Sequence, residues 1–217
     1  MKERFWFYFR LLFTVLGWAA IATDIYLRII RLDETGELFI SVFSRWRTFT
    51  IQTNLLILLF WTISLIYFNK DKEPFFLRPA VKGAIAVYIT LIFLSYEFIL
   101  GGLRGLEGSE FILSLIWHYV IPPAFVVDYL LYTKRKSIRF GYIGYWMIYP
   151  LCYSIYLSIS GFIYHNYLYS FQNVEQLGLT RVLIYGFGQL LFFAFLGFIY
   201  VLLNRRLPGH ISKRRER

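Results

Sequence analysis

Cysteine and histidine are scarce in this chain of 217 residues, which has one cysteine, Cys152, and three histidines. A single cysteine excludes an internal disulfide and a CxxC redox pair. A metal hydrolase or a bis-histidine haem protein needs several converging ligands, and the HExxH motif is absent. The GxSxG elbow and the P-loop are absent as well. We therefore predict no metal and no cofactor.

Charged residues are also few, at 17% of the chain, whereas 58% of the residues are hydrophobic and 22% are aromatic. The mean hydropathy of +0.54 lies outside the range of ordinary soluble domains. Apolar runs near the roughly 20 residues that a bilayer core requires predict transmembrane helices at about 5–27, 49–68, 81–101, 111–132, 142–164 and 182–203. The predicted fold class is all-α, a polytopic bundle of six transmembrane helices that forms a single domain over residues 1–217.

The basic residues are distributed unevenly between the two sides of this bundle. Seventeen of the 23 Lys and Arg residues fall at the termini and in the second and fourth connections. Because cytoplasmic segments retain Lys and Arg, we predict a multi-pass cell-membrane protein with both termini in the cytoplasm. This pattern accounts for the net charge of +10 without nucleic acid, so the expected partners are membrane lipids. The oligomeric state is left open.

Polar residues within the predicted spans are candidates for function, because they are costly in lipid. His118 is the only histidine within a span, and it shares a helix face with Pro122. Arg47, Thr50 and Asn54 form one stripe along the second helix. At 1.5 Å per residue, the two faces lie at similar depth in the outer half of the bundle, where they can share one cavity. His118 is either such a site residue or a structural histidine.

Two consecutive prolines distinguish the fourth helix. Pro122 and Pro123 have no N–H group, so the carbonyls of His118 and Tyr119 lose their usual helical partners. In lipid, such carbonyls must be satisfied within the protein or by water. We therefore predict a bend and a wet or protein-lined pocket around His118. Asp128 lies about 15 Å further along, and we expect it to anchor the cytoplasmic end.

Three further polar residues lie towards the outer ends of the helices: Asp24, Glu97 and Gln189. Asp24 is predicted to pair with Arg28, four residues further along its helix. Glu97 has no basic residue within four positions, so it is neutral, solvated or paired across helices. Asn54 and Gln189 are as well suited to hydrogen bonding between helices as to a site.

Two segments of the chain resemble a known family. RWRTFT, residues 45–50, and HYVIPPAFVVD, residues 118–128, are similar to the androgen-induced and androgen-dependent integral membrane proteins, six-helix hydrolases of fatty acid esters of hydroxy fatty acids. The family pattern has a threonine shortly after R-W-[KR], and a histidine followed by a proline at +5 and an acid at +10. Thr50, His118, Pro123 and Asp128 fall at those positions. The polar run Gln52-Thr53-Asn54 is more typical of the bacterial six-helix branch than of the eukaryotic members.

The resemblance implies an intramembrane hydrolase of a fatty-acyl ester, with Thr50 as the nucleophile and His118 as its base. Asn54 or Gln189 would donate to the developing oxygen charge, and Glu97 or Asp24 would orient the imidazole. Substrate binding is assigned to two arginines, which would hold a lipid carboxylate: Arg45 and Arg47. The alternative is a proton-coupled transporter, or a protein that binds a lipid or another small ligand, using His118 and Glu97.

Overall fold

The computed structural model describes residues 2–31, 45–70 and 73–207. Its long helices are α1 Lys2–Arg31, α2 Phe49–Ile66, α3 Pro79–Phe98, α4 Gly108–Tyr132, α5 Tyr142–Tyr164 and α6 Leu179–Arg206. All six are long and apolar enough to cross a membrane. The described residues contain no strand. The predicted class, an all-α membrane protein with six transmembrane helices, is confirmed.

Local signals decide where these helices begin and end. The Oγ1 of Thr48 accepts the backbone N–H of Ile51 at 3.3 Å and so caps the start of α2. Pro79 is the first residue of α3, a position where its missing N–H is harmless. After α3, the chain turns through Gly101 and Gly102, with φ of +85° and +65°. These signals shift both ends of α3 from the apolar run 81–101.

The described residues divide into two compact units, one ending at Thr133 and the other beginning at Lys134. In the first unit, α2 packs against α1 and α3, and α4 packs against α3. The centre of this unit is aromatic, since Trp61 of α2 and Phe125 of α4 are fully buried with ring centroids 5.6 Å apart. The organisation into a single domain stays a prediction.

The second unit contains α5 and α6, which pack against each other. Its connection from residue 134 to 138 is held by Asn204 of α6, which is fully buried. The Oδ1 of Asn204 accepts the backbone N–H groups of Ser137 and Ile138 at 3.1 and 3.2 Å, and its Nδ2 donates to the carbonyl of Lys134 at 2.8 Å. Both the oxygen and the nitrogen of this amide therefore have partners, and the residue fixes the loop to the end of α6.

Helix α4 is irregular immediately before its two prolines. Residues Ile116–Val120 form a π-helical segment, and the N–H of Ile121 bonds to the carbonyl of Ile116, five residues earlier. That N–H therefore does not bond to the carbonyl of Trp117. The next residue, Pro122, has no N–H. The carbonyl of Trp117 is consequently left without a donor from its own helix, in addition to the carbonyl of His118, which is followed by proline at both i+4 and i+5.

Candidate functional site

The carbonyl of Trp117 is bound by a side chain of the neighbouring helix. The Nδ2 of Asn54 donates to it at 3.2 Å and also donates to the carbonyl of Thr50 at 2.9 Å. Asn54 is almost completely buried. The two carbonyl oxygens therefore lie within about 6 Å of each other. One amide thus joins the backbone at Thr50 to the residue that precedes His118.

His118 is buried, with 8% of its surface exposed, and its ring lies flat on the ring of Tyr96. The ring centroids are 3.5 Å apart and the ring planes differ by 4°. The Nδ1 of His118 is sealed from solvent and has no hydrogen-bond partner. Proton exchange with a substrate would therefore use Nε2. Thr50 is half-buried, and among the described residues no hydrogen bond joins its hydroxyl to the imidazole.

Glu97 lies on the exposed end of α3, next to Tyr96. Its carboxylate accepts a hydrogen bond from the hydroxyl of Tyr119. Gly102 lies close to this pair, because a Cβ at that position would be 2.9 Å from the Tyr119 Oη. Two consecutive residues of α3 therefore contact two consecutive residues of α4: Tyr96 contacts His118 and Glu97 contacts Tyr119.

Asp24 is buried near the end of α1 and has two arginine partners. The predicted pair with Arg28 is present, with Nε to Oδ2 at 3.1 Å, and Arg45 Nε lies 3.8 Å from Oδ1. Arg45 also lies within electrostatic range of His118. Within the described ranges, neither Asp24 nor Glu97 makes a hydrogen bond to His118.

Four further predicted site residues are Arg47, Pro122, Pro123 and Gln189. Arg47 lies in the turn before α2, where its carbonyl accepts a hydrogen bond from Gln52 Nε2 at 3.4 Å. Pro122 is buried, whereas Pro123 is exposed. Gln189 lies on α6, in the second unit, and is half-buried. Its predicted role stays a prediction.

Asn54 was predicted either as an interhelical link or as a donor to a substrate oxygen. An amide nitrogen carries two hydrogens, and in Asn54 they are directed at the carbonyls of Thr50 and Trp117. The Oδ1 of Asn54 is buried and has no partner, but it is an acceptor. In this conformation the residue links helices and has no N–H left for a substrate.

Asp128 lies ten residues beyond His118 on α4 and is fully buried. Its Oδ1 accepts Arg10 Nη2 at 2.9 Å and lies 3.2 Å from Lys82 Nζ. Its Oδ2 accepts Trp61 Nε1 at 2.9 Å, and its backbone carbonyl accepts Lys82 Nζ at 2.9 Å. This one residue therefore joins α4 to α1, α2 and α3, which gives its predicted anchoring role a set of partners.

In the sequence, Arg10 and Lys82 belong to the basic residues whose distribution predicts topology. A signal of their contact was present, because Arg10 is flanked by apolar residues on both sides and Asp128 is the only acid in α4 beyond Glu110. A buried cation and a buried acid at the same depth are expected to pair. Tyr96 gave no comparable signal, since the chain contains 18 tyrosines and 23 phenylalanines.

Comparison with known proteins gives little functional information. No family model matches the chain, and no solved structure matches it. The "Uncharacterized protein MG452 homolog" of Mycoplasma pneumoniae is 28% identical over 129 residues, which are 55% of this chain and 50% of that protein. The chain thus spans about half the length of this relative, whose name assigns no activity.

In the part of the chain that the structure describes, no three His, Cys, Asp or Glu residues converge as metal ligands.

Proposed function

We propose that this chain is an intramembrane hydrolase of a fatty-acyl ester, with Thr50 as the nucleophile and His118 as the general base. The observation that carries the proposal is the Asn54 amide, which binds the carbonyls of Thr50 and Trp117 together. It ties the backbone at Thr50 to the residue before His118 on the neighbouring helix, and a nucleophile and its base must lie close together. The resemblance of residues 45–50 and 118–128 to the integral membrane hydrolases agrees with this assignment.

In the proposed reaction, His118 Nε2 accepts the proton of the Thr50 hydroxyl while Oγ1 bonds to the ester carbonyl carbon. The carbonyl electron pair moves to oxygen and then returns, which breaks the bond to the alcohol. The leaving alkoxide takes the proton from His118. Water then attacks the acyl-threonine with the same base, and the fatty acid leaves. In free enzymes the hydrogen bond between nucleophile and base is often long and shortens only when substrate binds.

Positive charge for the substrate comes from Arg45. It lies within electrostatic range of His118, and Asp24 offsets its charge only in part, because Asp24 also pairs with Arg28. Arg45 would attract the anionic end of an amphipathic ester. By the distribution of basic residues, we place this site in the outer half of the membrane and both termini in the cytoplasm.

The proposal is tested by hydrolysis of a long-chain ester of a hydroxy fatty acid by the purified full-length protein in detergent. Thr50→Ala and His118→Ala should each lower kcat by about a thousandfold, since they remove the nucleophile and its base. Thr53→Val is the matched control, because Thr53 lies three residues after Thr50 on α2. Thr53 is fully buried, and its hydroxyl has no hydrogen-bond partner among the described residues. This variant should keep wild-type activity.

Labelling by a fluorophosphonate probe gives a second measurement, and the labelled residue should be Thr50. Wild-type activity in Thr50→Ala, or an inert wild type across several classes of ester, would overturn the proposal. The assay must be accompanied by a thermal unfolding curve for each variant, so that loss of activity is separated from loss of fold.

A proton-coupled transporter is the second candidate, and one observation favours it. His118 and Asp128 are buried ionisable residues at two depths of the same helix, as in a proton pathway. Asp128, however, is held by Arg10 and Lys82. Proton-driven flux into liposomes that survives Thr50→Ala and is lost in His118→Ala would favour transport over hydrolysis.

A further inference from the structure

Among the described residues, no acid makes a hydrogen bond to the histidine of the proposed hydrolase. In hydrolases with a serine nucleophile, a carboxylate usually fixes the imidazole and stabilises it when it is protonated. Here Glu97 is bound by Tyr119, and Asp24 is bound by Arg28 and Arg45. Within the described part of the chain, the Nδ1 of His118 has no hydrogen-bond partner. Another contact must therefore set the orientation of the ring.

That contact is the stack with Tyr96. The rings are 3.5 Å apart and within 4° of parallel, so rotation of the imidazole out of this plane would remove the whole contact. Tyr96 is itself supported by its neighbours on α3, because Glu97 binds Tyr119 and Phe93 packs edge-on against Tyr119 at 5.8 Å. The last turns of α3 thus form a fixed platform for the segment of α4 that contains His118.

An aromatic face also has an electrostatic role. Its π electrons give it a negative potential, which attracts a cation placed over the ring. When His118 accepts a proton, the imidazolium forms directly on this face. The nearby charge of Arg45 opposes that imidazolium, so the attraction to the ring of Tyr96 matters.

We infer that Tyr96 is the positioning residue of the proposed hydrolase: its ring holds the His118 imidazole in plane and stabilises the imidazolium, in place of an acid. This inference rests on the proposed function. It requires the aromatic ring of Tyr96 and does not require the hydroxyl. Tyr96→Phe, which keeps the ring, and Tyr96→Leu, which removes it, should therefore differ in activity.

The first test is kinetic. Tyr96→Phe keeps the ring, so kcat should stay within about twofold of wild type, whereas Tyr96→Leu should lower kcat by about 10- to 30-fold with little change in KM. Phe93→Leu is the matched control, since it removes an aromatic ring one turn earlier on α3 that contacts Tyr119 and not His118. It should stay within about threefold of wild type. If Tyr96→Leu does not fold, Tyr96→Met replaces it.

The second test does not require activity. Carbethoxylation of His118 by diethyl pyrocarbonate, followed on its peptide by mass spectrometry, should be several-fold faster in Tyr96→Leu and unchanged in Tyr96→Phe. Equal rates and equal kcat in the wild type and Tyr96→Leu would overturn the inference and leave the hydrolase intact. If the wild type hydrolyses no ester but its His118 is carbethoxylated more slowly than in Tyr96→Leu, the hydrolase proposal is overturned. The stack of Tyr96 on His118 would then stand as a structural contact.

Discussion

His118 and Asp128 lie on one helix, both buried, yet their surroundings differ in kind. Asp128 receives hydrogen bonds from Arg10 and Trp61 on its carboxylate, and Lys82 contacts both its carboxylate and its backbone carbonyl. His118 has a stacked ring and a nitrogen without any partner. Asp128 has its polar groups satisfied inside the protein, whereas the Nδ1 of His118 has no partner among the described residues, and Nε2 is the nitrogen left for the proposed chemistry.

This difference follows from the chemistry of the two side chains. A carboxylate in a low-dielectric interior must be paired, because an isolated buried charge is very unfavourable. A neutral imidazole can remain buried at a far smaller penalty. The part of α4 around Asp128 therefore links the helices of the first unit, while the part around His118 carries the proposed chemistry.

The largest effect on stability is expected when the network of hydrogen bonds and ion pairs around Asp128 is broken. Asp128→Leu leaves the buried ammonium of Lys82 and the half-buried guanidinium of Arg10 without their carboxylate, so the free energy of unfolding should fall by about 3–5 kcal/mol. Thermal unfolding in detergent measures this directly. Asp128→Asn, which keeps the shape and one acceptor oxygen, should lose less. An unchanged unfolding midpoint in Asp128→Leu would show that the network does not stabilise the unit.

A smaller effect is expected at the link between α2 and α4. Asn54→Leu leaves the carbonyl of Trp117 buried without a donor, which should lower the free energy of unfolding by about 1–3 kcal/mol. The same substitution should also reduce ester hydrolysis, since it releases Thr50 from the segment that holds His118. Thr53→Val should do neither. If Asn54→Leu is as active as wild type, the link does not align the proposed site.

The smallest effect on stability is expected at His118 itself. His118→Phe keeps a flat ring on Tyr96 and removes a nitrogen that has no hydrogen-bond partner among the described residues. The free energy of unfolding should therefore change by less than about 1 kcal/mol. Activity, in contrast, should be abolished. The comparison of the two residues would fail if this variant were as unstable as Asp128→Leu.

The sequence was sufficient for the six helices and for part of the site. Long apolar runs indicate membrane spans whatever the packing, and counting residues along the helices put Thr50, Asn54 and His118 at one depth. Counting does not determine which helices touch. The link through Asn54 depends on the carbonyl that the π segment releases at Trp117, and no periodicity in the sequence shows a π segment in advance.

The partners of individual side chains were harder to predict. Aromatic residues are so frequent that Tyr96 could not be separated from those that face lipid. Arg10 and Lys82 were assigned to topology because Lys and Arg near helix ends usually report orientation. A basic residue can serve both purposes, and the packing of α1, α3 and α4 shows that these two pair with Asp128.

The network around Asp128 also has a consequence for how the chain is made. Its side-chain partners, Arg10, Trp61 and Lys82, all precede it in the sequence, so the ribosome completes them first. The carboxylate therefore enters the bilayer when its donors are already present on three earlier helices, because synthesis proceeds from the N-terminus. The helix that contains the acid of this network is the last of the first four to be synthesised, so its arrival brings the carboxylate to donors that are already in place.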